Sequence, residues 1–271
     1  MSVTTPKGFT AAGVTAGIKA SGRPDLALVV NNGPDAHAAA VFTSNTFKAA
    51  PVLWSRDAVA DGRLAAVVLN SGGANACTGR DGLADARQMA EWTAQALGTD
   101  VGDVAVCSTG LIGVRLPMQK VLQGIELATQ DLSDESGPAA AEAIMTTDTV
   151  PKEADFHSPH HWSIGGMAKG AGMLAPALAT MLVVITTDAV VSPEQLDSAL
   201  RTATGFTFDR TDSDGCMSTN DTVLLLASGA SGVTADPEEF TEALTGVCHS
   251  LAMQLLADSE GSSHDIEITV A

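Results

Sequence analysis

Short apolar runs of strand length alternate along the chain with longer stretches whose apolar residues recur at helical spacing. The strand-like runs fall at residues 26–31, 39–43, 65–70, 104–108, 181–187, 222–227 and 266–270. The helical stretches carry clear end signals. Ser192-Pro193-Glu194-Gln195 combines an N-cap Ser, a first-turn Pro and a Gln three residues after the cap, and Leu196, Ala199, Leu200 and Ala203 then share one face. Asp236-Pro237-Glu238-Glu239 repeats the signal ahead of a long stripe of Phe240, Leu244, Val247, Leu251 and Leu255. Residues 81–97, closed by Gly98, and residues 117–128 give two more helices. Mixing of the two periodicities predicts an α/β fold. A Gln-, Asp-, Ser- and Pro-bearing stretch, residues 130–138, reads as a flexible joint.

Composition narrows the function. Fourteen Lys and Arg stand against 32 Asp and Glu, a formal net charge of -18, which argues against nucleic-acid phosphates and anionic membranes as partners. Aromatic residues make up 4% with no Tyr, so base-stacking surfaces are not expected. The four cysteines, at 77, 107, 216 and 248, are scattered and form no CxxC, which fits a reducing, cytoplasmic setting rather than a zinc or disulfide framework. No apolar run reaches the roughly 20 residues that span a bilayer. His157, His160 and His161 cluster without acidic or Cys ligands at useful spacing and read as a solvated hairpin tip, so no metal site is expected. Residues 70–79 are glycine-rich but lack a phosphate-loop ending and read as a structural loop.

The densest chemistry lies between Gly165 and Asp188. A Lys framed by glycines and a Pro-marked turn lead to Ala179-Thr180 at the head of an apolar run. A Thr there can attack the preceding carbonyl, release a chain that begins with itself, and then use its new α-amine as general base. The residues permit this without requiring it, and taken alone they favour an ordinary loop entering a buried strand.

The segment resembles the processing site of the ornithine acetyltransferase family, the bifunctional glutamate N-acetyltransferases of arginine biosynthesis. The matching residues are Lys169-Gly170-Ala171-Gly172-Met173-Leu174-Ala175-Pro176 followed by Ala179-Thr180-Met181-Leu182. Blocks at residues 13–21, 39–48, 70–79, 107–113, 143–152, 218–222 and 260–261 match the family in order. The resemblance implies a mixed α/β sandwich of N-terminal-nucleophile-like type, cut between Ala179 and Thr180 into an alpha chain (1–179) and a beta chain (180–271) that stay associated, as a heterotetramer. It implies Thr180 as nucleophile, Thr109 and Gly110 as oxyanion hole, and Thr146, Lys169, Thr180 and Glu260 as substrate contacts. Substrates would be N-acetylornithine and glutamate, with acetyl-CoA a second donor in bifunctional members and no cofactor required. It also implies a further C-terminal segment, with additional substrate contacts, beyond the residues present. Two other outcomes stay open at this point: an amidohydrolase or aminopeptidase using the same Thr180, and an inactive shortened homologue.

Overall fold

The computed structural model describes residues 2–173, 181–264 and 266–269. In chain order the elements are β1 (Phe9–Val14), β2 (Leu26–Asn31), β3 (His37–Phe42), α1 (Ala50–Ala58), β4 (Ala66–Gly73), α2 (Gly79–Leu97), β5 (Val104–Leu111), α3 (Met118–Gln130) and α4 (Gly137–Ala143). They continue as β6 (Lys152–His157), β7 (Ser163–Lys169), β8 (Leu182–Thr187), α5 (Pro193–Phe206), β9 (Thr222–Ala227) and α6 (Pro237–Ala257).

The strands form two sheets, one ordered β1-β2-β4-β5 and the other β3-β9-β8-β7-β6. Pairing is antiparallel except for β4 with β5 and β8 with β9. Side-chain alternation then decides the layers. Val67 and Leu69 of β4 face Leu182 and Val184 of β8 and Leu224 and Leu226 of β9 in a central core between the sheets. The alternate residues, Ala66 and Val68, turn outward onto Met89 and Ala90 of α2 and Val121 and Ile125 of α3. On the other side Val183, Ile185, Val223 and Leu225 turn onto α5 and α6. The result is a four-layer helix–sheet–sheet–helix sandwich. Strands buried on both faces must be apolar at nearly every position, which is why β2, β8 and β9 carry the apolar runs 26–30, 182–185 and 223–227.

The capping signals hold. Ser192 and Gln195 form a reciprocal capping box at α5, and the Asp236 carboxylate accepts from the Glu238 and Glu239 amides at α6. Gly98 closes α2 with φ 70°. Every residue of the α6 apolar stripe is buried. His157 ends β6 and residues 158–162 make the tip of the β6–β7 hairpin, as expected.

Two expectations fail. Residues 130–138 are no flexible joint: Ser133 exchanges backbone hydrogen bonds with Ala11 at 2.9 and 3.0 Å, and α4 begins at Gly137. Gly13 lies so close to α4 that a Cβ there would sit 2.0 Å from the Ala139 carbonyl oxygen. Small residues on both sides, rather than apolar bulk, make this joint. Residues 266–269 form no strand either; they are exposed and pair with no strand among the described residues, so periodicity alone could not order them. No helix among the described residues is long and apolar enough to cross a membrane.

Candidate active site

The C-terminal ends of β5 and β7 meet the leading ends of β8 and β9 at one end of the sandwich. Register sets this up, because Lys169 pairs with Leu182 across β7 and β8, and Leu182 with Thr222 across β8 and β9. Asn220, just before β9, locks the two sheets together here. Its side-chain amide donates to the carbonyls of Ala74 (2.6 Å) and Ser108 (2.8 Å).

Lys169 is the centre of this end. Its side chain is 2% exposed, and its ammonium meets the hydroxyl of Thr146 at 2.7 Å, the hydroxyl of Thr109 at 3.4 Å and the carboxylate of Asp148 at 3.5 Å. An ammonium has only protons to give, so both hydroxyls must accept from it. Their own O–H protons are thereby left free to point elsewhere. Burial lowers the Lys169 pKa, and the Asp148 carboxylate opposes that fall.

Asp148 is shared between two lysines. One oxygen accepts from Lys152 (2.8 Å) and from the Gly170 amide (2.7 Å); the other accepts from the Thr146 amide (2.9 Å). Burial opposes ionisation of Asp148, but Lys169 and Lys152 outweigh it and hold the carboxyl well below the usual carboxylate range. Lys152 is itself wholly buried and makes a 2.6 Å bond to Asp258, which caps the C-terminal end of α6. An acid at a helix C-terminus is disfavoured by the helix dipole. Here Lys152 compensates, and Asp258 also accepts from both the amide and the hydroxyl of Thr149.

Thr109 and Gly110 lie within β5, opposite Ser71 and Gly72, where the β4–β5 register shifts at Gly72 and Gly73. Gly110 has φ 125°, and a Cβ there would come within 2.6 Å of the Gly72 backbone, so only glycine fits. The bulged strand end keeps Thr109 buried beside Lys169 while Gly110 is exposed.

Glu260 approaches the same end through its backbone. Its amide donates to the Ala171 carbonyl at 2.6 Å, while the side chain is exposed. Thus Thr109, Thr146 and Lys169 converge by side chain, and the Glu260 segment is hooked onto the strand end that carries Lys169. Ala179 and Thr180 lie outside the described residues. Among the described residues no His, Cys, Asp and Glu cluster could hold a metal ion.

The ArgJ family profile matches residues 10–271. The arginine biosynthesis bifunctional protein ArgJ of Streptomyces coelicolor is 64% identical over 270 residues, covering 100% of this chain and 70% of that protein. This chain belongs to the ArgJ family. Among solved structures, ornithine acetyltransferase from Mycobacterium tuberculosis complexed with ornithine matches with TM-score 0.65 and 58% identity, over 66% of this chain and 96% of that one. A Burkholderia β-aminopeptidase matches 95% of this chain and 86% of its own with TM-score 0.57 but 13% identity, a likeness of fold alone.

Four polar groups at this end of the ArgJ-family sandwich were missed from sequence: Asp148, Lys152, Asp258 and Asp221. Asp148 and Lys152 stand four apart inside the quoted 143–152 block, an acid and a base amid neutral residues, which was the available signal. Nothing local to Asp258 pointed to Lys152, 106 residues away.

Proposed function

We propose that the chain is a threonine-nucleophile acetyltransferase that moves an acetyl group from N-acetylornithine to glutamate, in arginine biosynthesis. The observation that carries this is the Lys169 cluster: a buried ammonium that presents two threonine hydroxyls at one end of the ArgJ-family sandwich. The chain would first cut itself between Ala179 and Thr180. The Thr180 hydroxyl, with the new α-amine as base, would then attack the acetyl carbonyl of N-acetylornithine. The developing oxyanion would be met by the Thr109 hydroxyl proton, freed by Lys169, and by the Gly110 amide; each such donor is usually worth ~3 kcal/mol. Ornithine leaves, and the amine of glutamate takes the acetyl group. Acetyl-CoA would serve as a second donor, in keeping with the bifunctional name of the relatives.

Thr146, oriented by the same Lys169, would hold the substrate amino acid, and Glu260 would meet its ammonium group. Residues 1–179 and 180–271 would stay together after cutting. The support is topological: β7, from the first piece, pairs along its length with β8, from the second, and residues of both pieces share the central core and the core under α5 and α6, so the cut would leave one continuous sheet and both cores intact. Two copies of each piece would make a heterotetramer. Four cysteines without disulfide partners fit a cytoplasmic setting.

The test is the fate of the acetyl group. Purified protein given N-acetylornithine should release ornithine at a rate that rises with glutamate, with N-acetylglutamate as product. Ornithine release that ignores glutamate and yields acetate would instead make the chain an amidohydrolase.

A further inference from the structure

Cutting poses a problem that transfer does not. Before the chain is cut, the nitrogen of Thr180 is part of a peptide bond. Its lone pair is delocalised into the carbonyl, so it cannot take the proton of the Thr180 hydroxyl. The base invoked for acetyl transfer does not yet exist, and another group must serve. Lys169 is poorly suited, because its protons are engaged by Thr146, Thr109 and Asp148.

Asp221 stands at this place in the fold. It immediately precedes β9, its side chain is fully buried, and one carboxyl oxygen accepts from the Met181 amide at 3.0 Å. That amide nitrogen is covalently bonded to the carbonyl carbon of Thr180. Among the described residues, the second oxygen, Oδ2, is buried with no hydrogen-bond partner. A buried carboxyl oxygen left unpaired normally costs about 1–3 kcal/mol, so its persistence calls for a use. The Thr43 hydroxyl, close by, donates to the Ser218 carbonyl instead (2.8 Å). Burial raises the Asp221 pKa to about 7; the Met181 amide and the charge of Lys169 offset this only in part. Lys169, backed by Asp148, is the charged side chain that acts on Asp221. A group titrating near neutrality can both take and return a proton at working pH.

We infer that Asp221 is the proton carrier of self-cleavage, taking the hydroxyl proton of Thr180 and delivering it to the departing nitrogen. This rests on the proposed cut between Ala179 and Thr180. As the Thr180 Oγ–carbon bond forms at the Ala179 carbonyl, the hydroxyl proton passes to the Asp221 carboxylate. As the carbon–nitrogen bond breaks, that proton passes to the nitrogen, which becomes the free amine, and Asp221 is again ionised. Water then splits the ester, giving the Ala179 carboxylic acid and restoring the Thr180 hydroxyl. The new amine inherits the role of base for every later turnover, and Asp221 is needed once.

The experiment follows freshly made full-length chain, synthesised in a cell-free system and pulse-labelled, by denaturing gel and intact mass between about pH 5.5 and 8.5. The parent should cut faster as pH rises through about 7. Asp221→Asn can still accept the Met181 amide but cannot carry a proton. It should cut about a hundredfold more slowly, with the pH rise gone. Thr180→Ala should not cut. If Asp221→Asn matches the parent, or is slowed yet keeps the parent's pH rise, Asp221 only holds the strand and the inference is overturned. A parent rate flat between about pH 6 and 8 overturns it too, without recourse to any variant that fails to fold. Cutting by Thr180→Ala would instead sink the proposed self-cleavage itself, whatever Asp221 does.

Discussion

Asp148 and Asp221 are both buried at the same end of the sandwich, and both feel the charge of Lys169. Their surroundings make them opposites. Asp148 is saturated: it holds two lysines and two backbone amides and stays ionised far into acid. Asp221 holds one amide, has one oxygen unpaired among the described residues, and is pushed up by burial to about 7. Burial pushes both carboxyls toward the neutral form, and the number of partners decides which one yields. A saturated buried carboxylate works as a strut, whereas an unsaturated one is available for proton transfer.

The largest expected effect separates the two by stability. Asp148→Asn removes the shared partner of two buried cations and should cost ~3–5 kcal/mol in urea unfolding. Asp221→Asn, which strands no cation, should stay within about 1 kcal/mol of the parent at pH 8. Equal losses would erase the distinction. An apolar control sharpens it. Leu251 of α6 is fully buried and sits against Gly166 of β7, where a Cβ would lie 3.1 Å from its Cδ1. Leu251→Ala should cost ~2–5 kcal/mol at every pH, since it changes packing and no charge. A pH-dependent loss would mean that α6 disturbs the Lys152–Asp258 tie.

Glu260→Ala probes the rim. Its backbone bond to Ala171 survives the substitution, so self-cleavage should proceed while acetyl transfer falls about ten- to a hundredfold, the loss of one charge-assisted hydrogen bond worth ~1.5–3 kcal/mol. Transfer at the parent rate would remove Glu260 from substrate binding. The smallest effect is a difference in pH dependence. The Asp148 pKa is depressed on folding, so its contribution to stability is present above ~4 and is lost as acid carries it through its folded value. The Asp221 pKa is raised on folding, so folding takes up a proton between its unfolded and folded pKa values. That contribution drains away as pH rises through about 7. Relative to Asp221→Asn, the parent should therefore lose on the order of 1 kcal/mol between about pH 6 and 8. A parallel pair of stability curves would place the Asp221 pKa elsewhere.

What the sequence disclosed follows the same physics. Strands buried on both faces, such as β8 and β9, are apolar at most positions and are legible without a structure. β7, Ser163-Ile164-Gly165-Gly166-Met167-Ala168-Lys169, is just as buried but escaped notice. Its glycines make room for Ser2, Pro6 and Leu251 instead of supplying apolar bulk. α4 was hidden likewise, since it packs through alanines. Thr109, Thr146 and Lys169 were found by family resemblance, and the fold does bring them together. Asp221 and the Asp148–Lys152–Asp258 chain were not found, because burial and missing partners are properties of the packed chain. An Asp before an apolar strand looks in sequence like any turn residue.

The central claim is that Thr180 carries the acetyl group. Mass spectrometry of the protein, quenched in acid after mixing with N-acetylornithine in the absence of glutamate, tests it directly. The fragment beginning at Thr180 should be heavier by one acetyl group, the label should sit on the Thr180 hydroxyl, and glutamate should discharge it. A fragment that stays unmodified while ornithine is released, or an acetyl group found on any other residue, would contradict the account.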